Sequence, residues 1–297
     1  MMKSFAAIGR PAGGPLLWLA GPVAFMAIFF VIPLVQVAQQ SVTGADGGLD
    51  FTPYAKLLRT GYYANVIVYT MILAGQVTLI CLLIGYPTAY FISSLRNPLA
   101  RRFAIILMIT PLFTSNIVRS FAWIMLLGRN GVINDALLGI GITGAPLALL
   151  YNDFSIGVGL VYVMLPFMIL SIYASLENIN RSLLDAASDL GAGNFDRFFQ
   201  VIWPLSQRGV ISGCVIVFAL AGSAYVTPMV MSGGKSTVLS MLIYQQYAVV
   251  FDARVGAALS MVLLVLTLLV LGIGVVMAAA LRTLRRRRAA LRYGGLA

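Results

Sequence analysis

Long apolar stretches alternate with short polar segments along this chain. Six of the stretches are predicted to form helices that cross a membrane, because each exceeds the roughly 20 residues that a helix needs to span a bilayer. They cover residues 16–38, 64–93, 103–127, 154–176, 209–231 and 255–281. Residues 1–15 and 282–297 are predicted to be tails. The pattern therefore predicts an all-α integral membrane protein with one transmembrane domain over residues 16–281.

The composition agrees with this prediction. The chain of 297 residues is 60% hydrophobic and only 10% charged, with a mean hydropathy of +0.95. About a quarter of the residues of a typical soluble domain are charged. The six spans and their loops use most of the chain, so no separate soluble domain is expected.

The most distinctive polar interruption covers residues 177–208, between the fourth and fifth predicted spans. Asp185 and Asp189 are four residues apart and share one side of a predicted helix. The apolar positions on its other side are Leu183, Leu184, Ala187 and Leu190. Gly191 is predicted to end this helix, and a short aromatic helix followed by Pro204 would complete a compact knob.

The distribution of basic residues predicts the orientation. The net charge is +11, but the basic residues lie at span boundaries, which disfavours nucleic-acid binding. With the N-terminus inside, the inner segments hold 14 Lys and Arg residues and the outer loops hold 5. Both termini and the segment 177–208 are therefore predicted to be cytoplasmic. The basic tail 282–297 is interpreted mainly as an anchor, with anionic lipid binding as the alternative.

Little in the chain favours enzymatic chemistry. It has no His, and Cys81 and Cys214 lie in apolar runs and are interpreted as core residues. Residues 233–237 read Gly-Gly-Lys-Ser-Thr, but Met229 stands where a phosphate-binding loop needs its first Gly. We therefore predict no catalytic residue, no metal and no cofactor. If the function of the chain depends on ATP, the ATP must be bound and hydrolysed by a partner protein.

The spacing within segment 177–208 resembles the EAA loop in permease subunits of bacterial ABC importers. That pattern reads Glu-Ala-Ala, then Gly, then Ile-x-Leu-Pro. The matching positions here are Asp185, Ala186, Ala187, Gly191 and Pro204, with Val201 and Trp203 in place of Ile and Leu. The resemblance implies that this loop docks on a cytoplasmic ATPase. An ordinary amphipathic loop is the alternative.

A second resemblance extends over residues 111–234 and is to the permeases of the spermidine/putrescine type. It is carried by the following positions: Pro111, Thr114, Ser115, Arg119, Ser120, Trp123, the run Gly131-Val132-Ile133-Asn134, the run Leu165-Pro166-Phe167-Met168, the run Tyr225-Val226-Thr227-Pro228, Gly233 and Gly234. It implies a type I ABC importer permease in a bacterial inner membrane. The implied partners are a cytoplasmic ATPase dimer, a second related permease in a heterodimer and a periplasmic substrate-binding protein.

The substrate is the weaker part of this prediction. Ala224 stands where several polyamine permeases have an acid, and the six predicted spans contain no Asp or Glu. A polyamine is expected, with an opine, an amino-acid derivative or ferric ion as alternatives. A pore independent of ATP, or a membrane enzyme, is the alternative of a different class.

Five residues are candidates for the translocation path or its gate: Thr114, Arg119, Trp123, Tyr225 and Thr227. Arg119 is the one charged residue inside a predicted span, a position that usually faces a protein interior or cavity. It is either structural or part of the path. Tyr90, Tyr225 and Thr227 lie near span ends, where an interfacial role is the alternative to substrate contact.

Overall fold

The computed structural model describes the backbone of residues 15–44 and 47–293, and the side chains of residues 19–44, 47–180 and 182–276. The described part contains fourteen α-helices. They are α1 (Pro15–Met26), α2 (Ile32–Val42), α3 (Thr52–Arg59), α4 (Gly61–Ser94), α5 (Pro98–Ile109), α6 (Asn116–Leu127), α7 (Val132–Gly139), α8 (Asp153–Glu177), α9 (Arg181–Asp189), α10 (Asn194–Arg197), α11 (Trp203–Ser223), α12 (Val226–Met231), α13 (Leu239–Gln245) and α14 (Ala253–Tyr293).

Five helical stretches are long and apolar enough to cross a membrane. They are Leu19–Val42, Gly61–Ser94, Asp153–Glu177, Asn194–Ser223 and Ala253–Val276. A sixth span results if the bent pair Pro98–Phe113 and Asn116–Gly139 is counted as one.

The third predicted span, residues 103–127, is not one straight helix. Its two parts meet at 99°. A 3₁₀ turn at Thr110–Phe113 ends the first part, and Thr114 and Ser115 have extended ψ values of 140° and 138°. Pro111 lies in this turn and has no N–H to continue an α-helical hydrogen-bond ladder.

The fifth span also differs from its predicted bounds of 209–231. Its helix begins at Asn194 rather than at Gly209 and ends at Ser223, so the short aromatic helix expected before Pro204 is the first part of the span itself. A π-helical turn at Phe198–Ile202 directly precedes Pro204. Such a turn changes the hydrogen-bond register just where a proline removes a donor.

The centre of the fold is formed by α4, α8 and α11, which pack through small residues. Met168 of α8 is fully buried. A Cβ atom at Gly85 of α4 would lie 2.9 Å from its Cγ, and one at Gly213 of α11 would lie 2.7 Å from its Sδ. A Cβ at Gly209 would lie 2.6 Å from the carbonyl oxygen of Ser171. Glycines spaced by four residues allow this close approach between membrane helices.

A smaller apolar cluster joins α3, the start of α4, α13 and α14. Its buried members include Leu57, Val66, Leu242 and Leu259. The span Leu19–Val42 packs on α14 but has no buried residue in its most apolar window. The fold is therefore a tight three-helix centre with more loosely attached outer helices.

Candidate functional site: the loop between α8 and α11

The segment between α8 and α11 begins with the short helix α9, whose ends are fixed by local hydrogen bonds. The Asn180 side chain accepts a hydrogen bond from the backbone N–H of Ser182 at its N-terminus. At its C-terminus the N–H of Gly191 donates to Ser188 O at 2.8 Å, and the N–H of Ala192 donates to Ala187 O at 3.0 Å. This pair of bonds is a Schellman motif, which needs a left-handed residue after the helix.

Gly191 supplies that left-handed residue, with φ of +81°. No atom lies within 4 Å of a Cβ placed there, so the requirement for glycine comes from the backbone alone. Non-glycine residues are costly in this conformation. The predicted turn at Gly191 and the helix before it are thus present, although that helix ends at Asp189.

Apolar side chains are exposed on this loop. Leu190 is 88% exposed and Phe195 is 76% exposed. The rings of Phe195 and Phe199 are 4.5 Å apart, and Leu183 is also exposed. These side chains lie at the end of the helix bundle, where the chain turns between two spans. Exposed apolar side chains of this kind mark contacts with another protein or with a membrane.

Asp185 and Ala186 are also exposed on α9, and Ala187 is half-buried. Asp185 borders a polar cavity of about 350 Å³ that Arg96 and Arg197 also line. Among the described residues, the Asp185 carboxylate has no hydrogen bond or ion pair. Its charge is therefore available to another protein.

Pro204 lies apart from the other four matching positions, inside the base of α11. Its neighbour Trp203 contacts Tyr86 of α4, with ring centroids 5.1 Å apart, and Tyr86 contacts Phe198 at 5.8 Å. The Tyr86 hydroxyl and Ser206 Oγ are hydrogen-bonded at 2.8 Å. This aromatic cluster fixes the base of α11 to α4. Tyr86 lies in the same apolar run as Tyr90, and nothing in the sequence pattern distinguishes it as a contact of α11.

The five path candidates do not form one cluster. Thr114 is exposed at the bend before α6. Trp123 of α6 packs edge-on against Tyr162 of α8, with centroids 5.7 Å apart. Thr227 of α12 is buried beside Gly159 of α8.

Tyr225 precedes α12 and packs against Tyr244, with ring centroids 4.9 Å apart. The helices that carry these candidates, α6, α8 and α12, do contact one another. The structure therefore brings Trp123 and Thr227 into one helix cluster and leaves Thr114 and Tyr225 at its edges.

Arg119 is buried in α6, with 8% of its surface exposed. Its Nη2 donates to Oδ1 of Asn116, and its Nε and Nη1 have no partner among the described residues. The choice between the structural and the path hypothesis for Arg119 stays a prediction.

Asn134 of α7 has a structural role. Its side chain donates to Gly128 O at 2.9 Å and Leu147 O at 3.0 Å, and accepts from the Leu147 N–H at 2.9 Å. Three hydrogen bonds from one fully buried amide close the loop that contains α7. Asn134 belongs to the run Gly131-Val132-Ile133-Asn134 that carries the family resemblance, but its bonding partners are not apparent from the sequence.

Comparison with known proteins places the chain in a family. Residues 81–289 match the family described as binding-protein-dependent transport system inner membrane component. The chain belongs to this family. The permease is 33% identical to the spermidine/putrescine transport system permease protein PotB of Haemophilus influenzae over 84% of this chain and 88% of that protein. The predicted family is thereby confirmed.

Solved structures support the same fold. The permease resembles a chain of a bacterial ABC transporter involved in the import of the acidic polysaccharide alginate, with a TM-score of 0.69 and 17% identity over 89% of this chain and 94% of that chain. It also resembles a chain of a bacterial alginate ABC transporter in complex with an alginate pentasaccharide-bound periplasmic protein, with a TM-score of 0.66 and 18% identity over 87% and 91%.

These matches confirm the predicted fold class, a type I ABC importer permease. The permease is a multi-pass inner-membrane component of an ABC importer, and it acts in transport rather than as an enzyme. The orientation of its termini stays a prediction.

Proposed function

We propose that this permease forms half of the translocation path of a polyamine importer. We also propose that the loop between α8 and α11 docks on an ATPase and couples its ATP cycle to transport. The relative named for spermidine and putrescine, similar over most of both chains, supports the substrate class. The distribution of basic residues supports a cytoplasmic position for the loop.

The observation that carries the coupling role is the surface of α9 and α10. The exposed side chains of Leu190 and Phe195 form the apolar part of this surface, and the Asp185 carboxylate, which has no partner among the described residues, forms its charged part. The apolar side chains supply buried area to a partner, and the carboxylate supplies a charge for a basic residue on that partner. Small side chains at Ala186 and Ala187 allow the partner to approach the helix closely.

The mechanism follows from the connections of this surface. The π-helical turn joins α10 to α11 without a break, and α11 packs through Gly209 and Gly213 on α8. Closure of an ATPase dimer would therefore move the loop together with α8 and α11 as one body. Rigid-body movement of this kind is a common route between two conformational states.

The assembly has two permease chains, two ATPases and one periplasmic binding protein. We propose a related second permease as the companion of this chain, so that the path lies between two different subunits. Reconstitution of all four kinds of subunit in proteoliposomes tests the function. Import of labelled spermidine or putrescine that requires ATP and the binding protein is expected, and its absence would overturn the polyamine assignment.

The coupling role is tested by Gly191→Ala, with Gly193→Ala as its matched control. Both glycines have open space around a new Cβ, but only Gly191 has a left-handed φ. The first substitution strains the loop by about 1–2 kcal/mol and should weaken ATPase binding by up to about thirtyfold. Gly193→Ala, at φ of −68°, should leave it unchanged.

The measurement is the affinity of the purified permease pair for the ATPase, together with uptake. Asp185→Lys reverses the proposed contact charge and should reduce both. Wild-type ATPase affinity in Gly191→Ala and Asp185→Lys would show that the loop is not the docking element.

A further inference from the structure

The helix α8 connects two functionally different ends of the molecule. The helix ends at Glu177, beside the loop between α8 and α11, and begins at Asp153 at the opposite end. A helix of 25 residues separates these ends by roughly 37 Å, at 1.5 Å per residue. If the loop contacts the ATPase, Asp153 lies on the side where the binding protein releases substrate.

The Asp153 carboxylate is held by two hydroxyl groups from distant parts of the chain. The Tyr69 hydroxyl of α4 donates to Oδ1 at 2.7 Å, and Ser236 Oγ donates to the same oxygen at 2.7 Å. Among the described residues, Oδ2 has no hydrogen-bond donor, and the residue is exposed. One oxygen is thus fixed by the protein, and the other can accept a hydrogen bond from a ligand.

The loop that carries Ser236 is shaped to reach this carboxylate. Gly233 and Gly234 have positive φ values of 58° and 78°. The ring of Tyr151 packs so closely on Gly233 that a Cβ there would lie 2.7 Å from the ring atom Cγ. Tyr151 itself has a positive φ of 61°. The left-handed conformation of Tyr151 and the turn at Gly233 and Gly234 together position the loop against the start of α8.

Two other acids near this end are already engaged. Asp50 forms an ion pair with Arg254 at 3.1 Å, and Asp252 accepts a hydrogen bond from the Val255 N–H. Within the part of the chain that the structure describes, no cation lies within salt-bridge distance of Asp153. Its negative charge is stabilised there by the two hydroxyl dipoles and by the N-terminus of α8.

We propose that Asp153 binds a primary ammonium group of the substrate as it enters the permease, an inference that rests on the proposed polyamine function. An ammonium group bonded to Oδ2 would form a charge-assisted hydrogen bond, the strongest contact that a carboxylate offers to such a ligand. The exposed Tyr151 ring, two residues away, offers an aromatic face to the same cation. Asp153 also supplies the acid that the predicted spans lack.

Asp153→Asn tests the inference, because the amide keeps an oxygen that can accept from Tyr69 and Ser236 but removes the charge. In the reconstituted importer, the rate of spermidine uptake is measured against the concentration of substrate-loaded binding protein. We expect kcat to fall about tenfold, the value of one hydrogen bond to a charged group, with the KM for loaded binding protein unchanged. Asp153→Glu should restore at least part of the rate.

Asp135→Asn is the matched control, since Asp135 is another exposed acid of a connecting segment. It should transport like the wild type. An unchanged kcat in Asp153→Asn would overturn the inference, and so would a raised KM alone, which would indicate a role in docking the binding protein.

A purely structural role of Asp153 would appear as loss of the assembled complex in both the Asn and the Glu variants. That outcome would also overturn the inference. Failure of the wild-type importer to carry any polyamine would overturn the proposed function together with this inference. Equal polyamine uptake by the wild type and by Asp153→Asn would overturn this inference but not the proposed function.

Discussion

The two ends of the helix bundle are held together in different ways. At the end that contains Asp153, side chains join segments far apart in the chain. Arg254 pairs with Asp50, Tyr69 and Ser236 bind Asp153, and the Leu239 N–H donates to Thr70 Oγ1 at 2.9 Å. These bonds connect α4 to α8 and α13, α8 to the loop after α12, and α14 to the segment before α3.

At the other end, hydrogen bonds from the described side chains of residues 178–197 reach no farther than four residues along the chain. Ile179 and Leu184 pack on the core, while Leu190 and Phe195 face outward. One end keeps several spans in register through side-chain hydrogen bonds between distant segments. At the other end, Glu177 pairs with Arg101 of α5 at 2.9 Å just before segment 178–197, and that segment itself is attached by apolar packing.

The largest expected effect concerns the packing that joins these two ends. Gly209→Ala places a Cβ 2.6 Å from Ser171 O and 3.0 Å from Ile172 Cα, so the backbones of α8 and α11 must separate. Overpacking of this kind costs about 1–3 kcal/mol, and the upper end is expected here because both contacted atoms belong to the backbone and cannot rotate away. The midpoint of thermal unfolding of the purified permease pair should fall, and uptake should fall with it.

Gly157→Ala in α8 is the control, since no atom lies within 4 Å of its new Cβ. Its midpoint should equal or exceed that of the wild type, because alanine favours a helix more than glycine does. Equal midpoints in both variants would show that close packing of α8 on α11 does not hold the ends together.

A smaller effect is expected at the end that contains Asp153. Thr70→Val keeps the shape of the side chain but removes the acceptor of the buried Leu239 N–H. An unsatisfied buried donor costs about 1–3 kcal/mol. The variant should unfold at a lower temperature, and protease should cut the loop between α12 and α13 faster than in the wild type.

Thr88→Val provides the comparison within the same helix. Thr70 and Thr88 both donate to the carbonyl four residues earlier at 2.7 Å, but Thr88 accepts no bond from another segment. Thr88→Val should therefore behave like the wild type. Similar stability of the two variants would contradict the idea that this end is fixed by contacts between distant segments.

Local features of the fold were predictable from the sequence. The turn at Gly191 depends on a single backbone conformation, and the residues that require it are adjacent in the chain. The bend before α6 was not predictable from Pro111, because Pro87 and Pro166 lie within the continuous helices α4 and α8. A proline indicates a possible break, but tertiary packing decides whether the helix breaks.

The Asp153 site shows a different limit. The fourth span was predicted to begin at Phe154, one residue later than α8 begins, so the acid was placed in a loop. Its partners Tyr69 and Ser236 are 84 and 83 residues away. No spacing rule connects residues so far apart. The relation exists only once α4 and the loop after α12 are folded around the start of α8.

The smallest expected effect is the contribution of Asp50 to stability. Asp50 also lies at the end that contains Asp153. Hydrogen bonds from the Thr52 hydroxyl and N–H, and then the charge of Arg254, lower the pKa of Asp50 below its ordinary value of 3.8. A lowered folded-state pKa means that the stabilisation is complete above the unfolded value and is lost as the pH falls through the folded value. Asp50→Asn should therefore lower the unfolding midpoint equally at about pH 7 and about pH 5.

Below the ordinary pKa of 3.8 the difference between Asp50→Asn and the wild type should shrink. Thr52→Val should reproduce more of this pH dependence than Arg254→Met, because the hydroxyl is the first cause of the shift and an exposed ion pair contributes little. A larger effect of Arg254→Met, reduced by added salt, would instead assign the link between α14 and the segment before α3 to the ion pair itself.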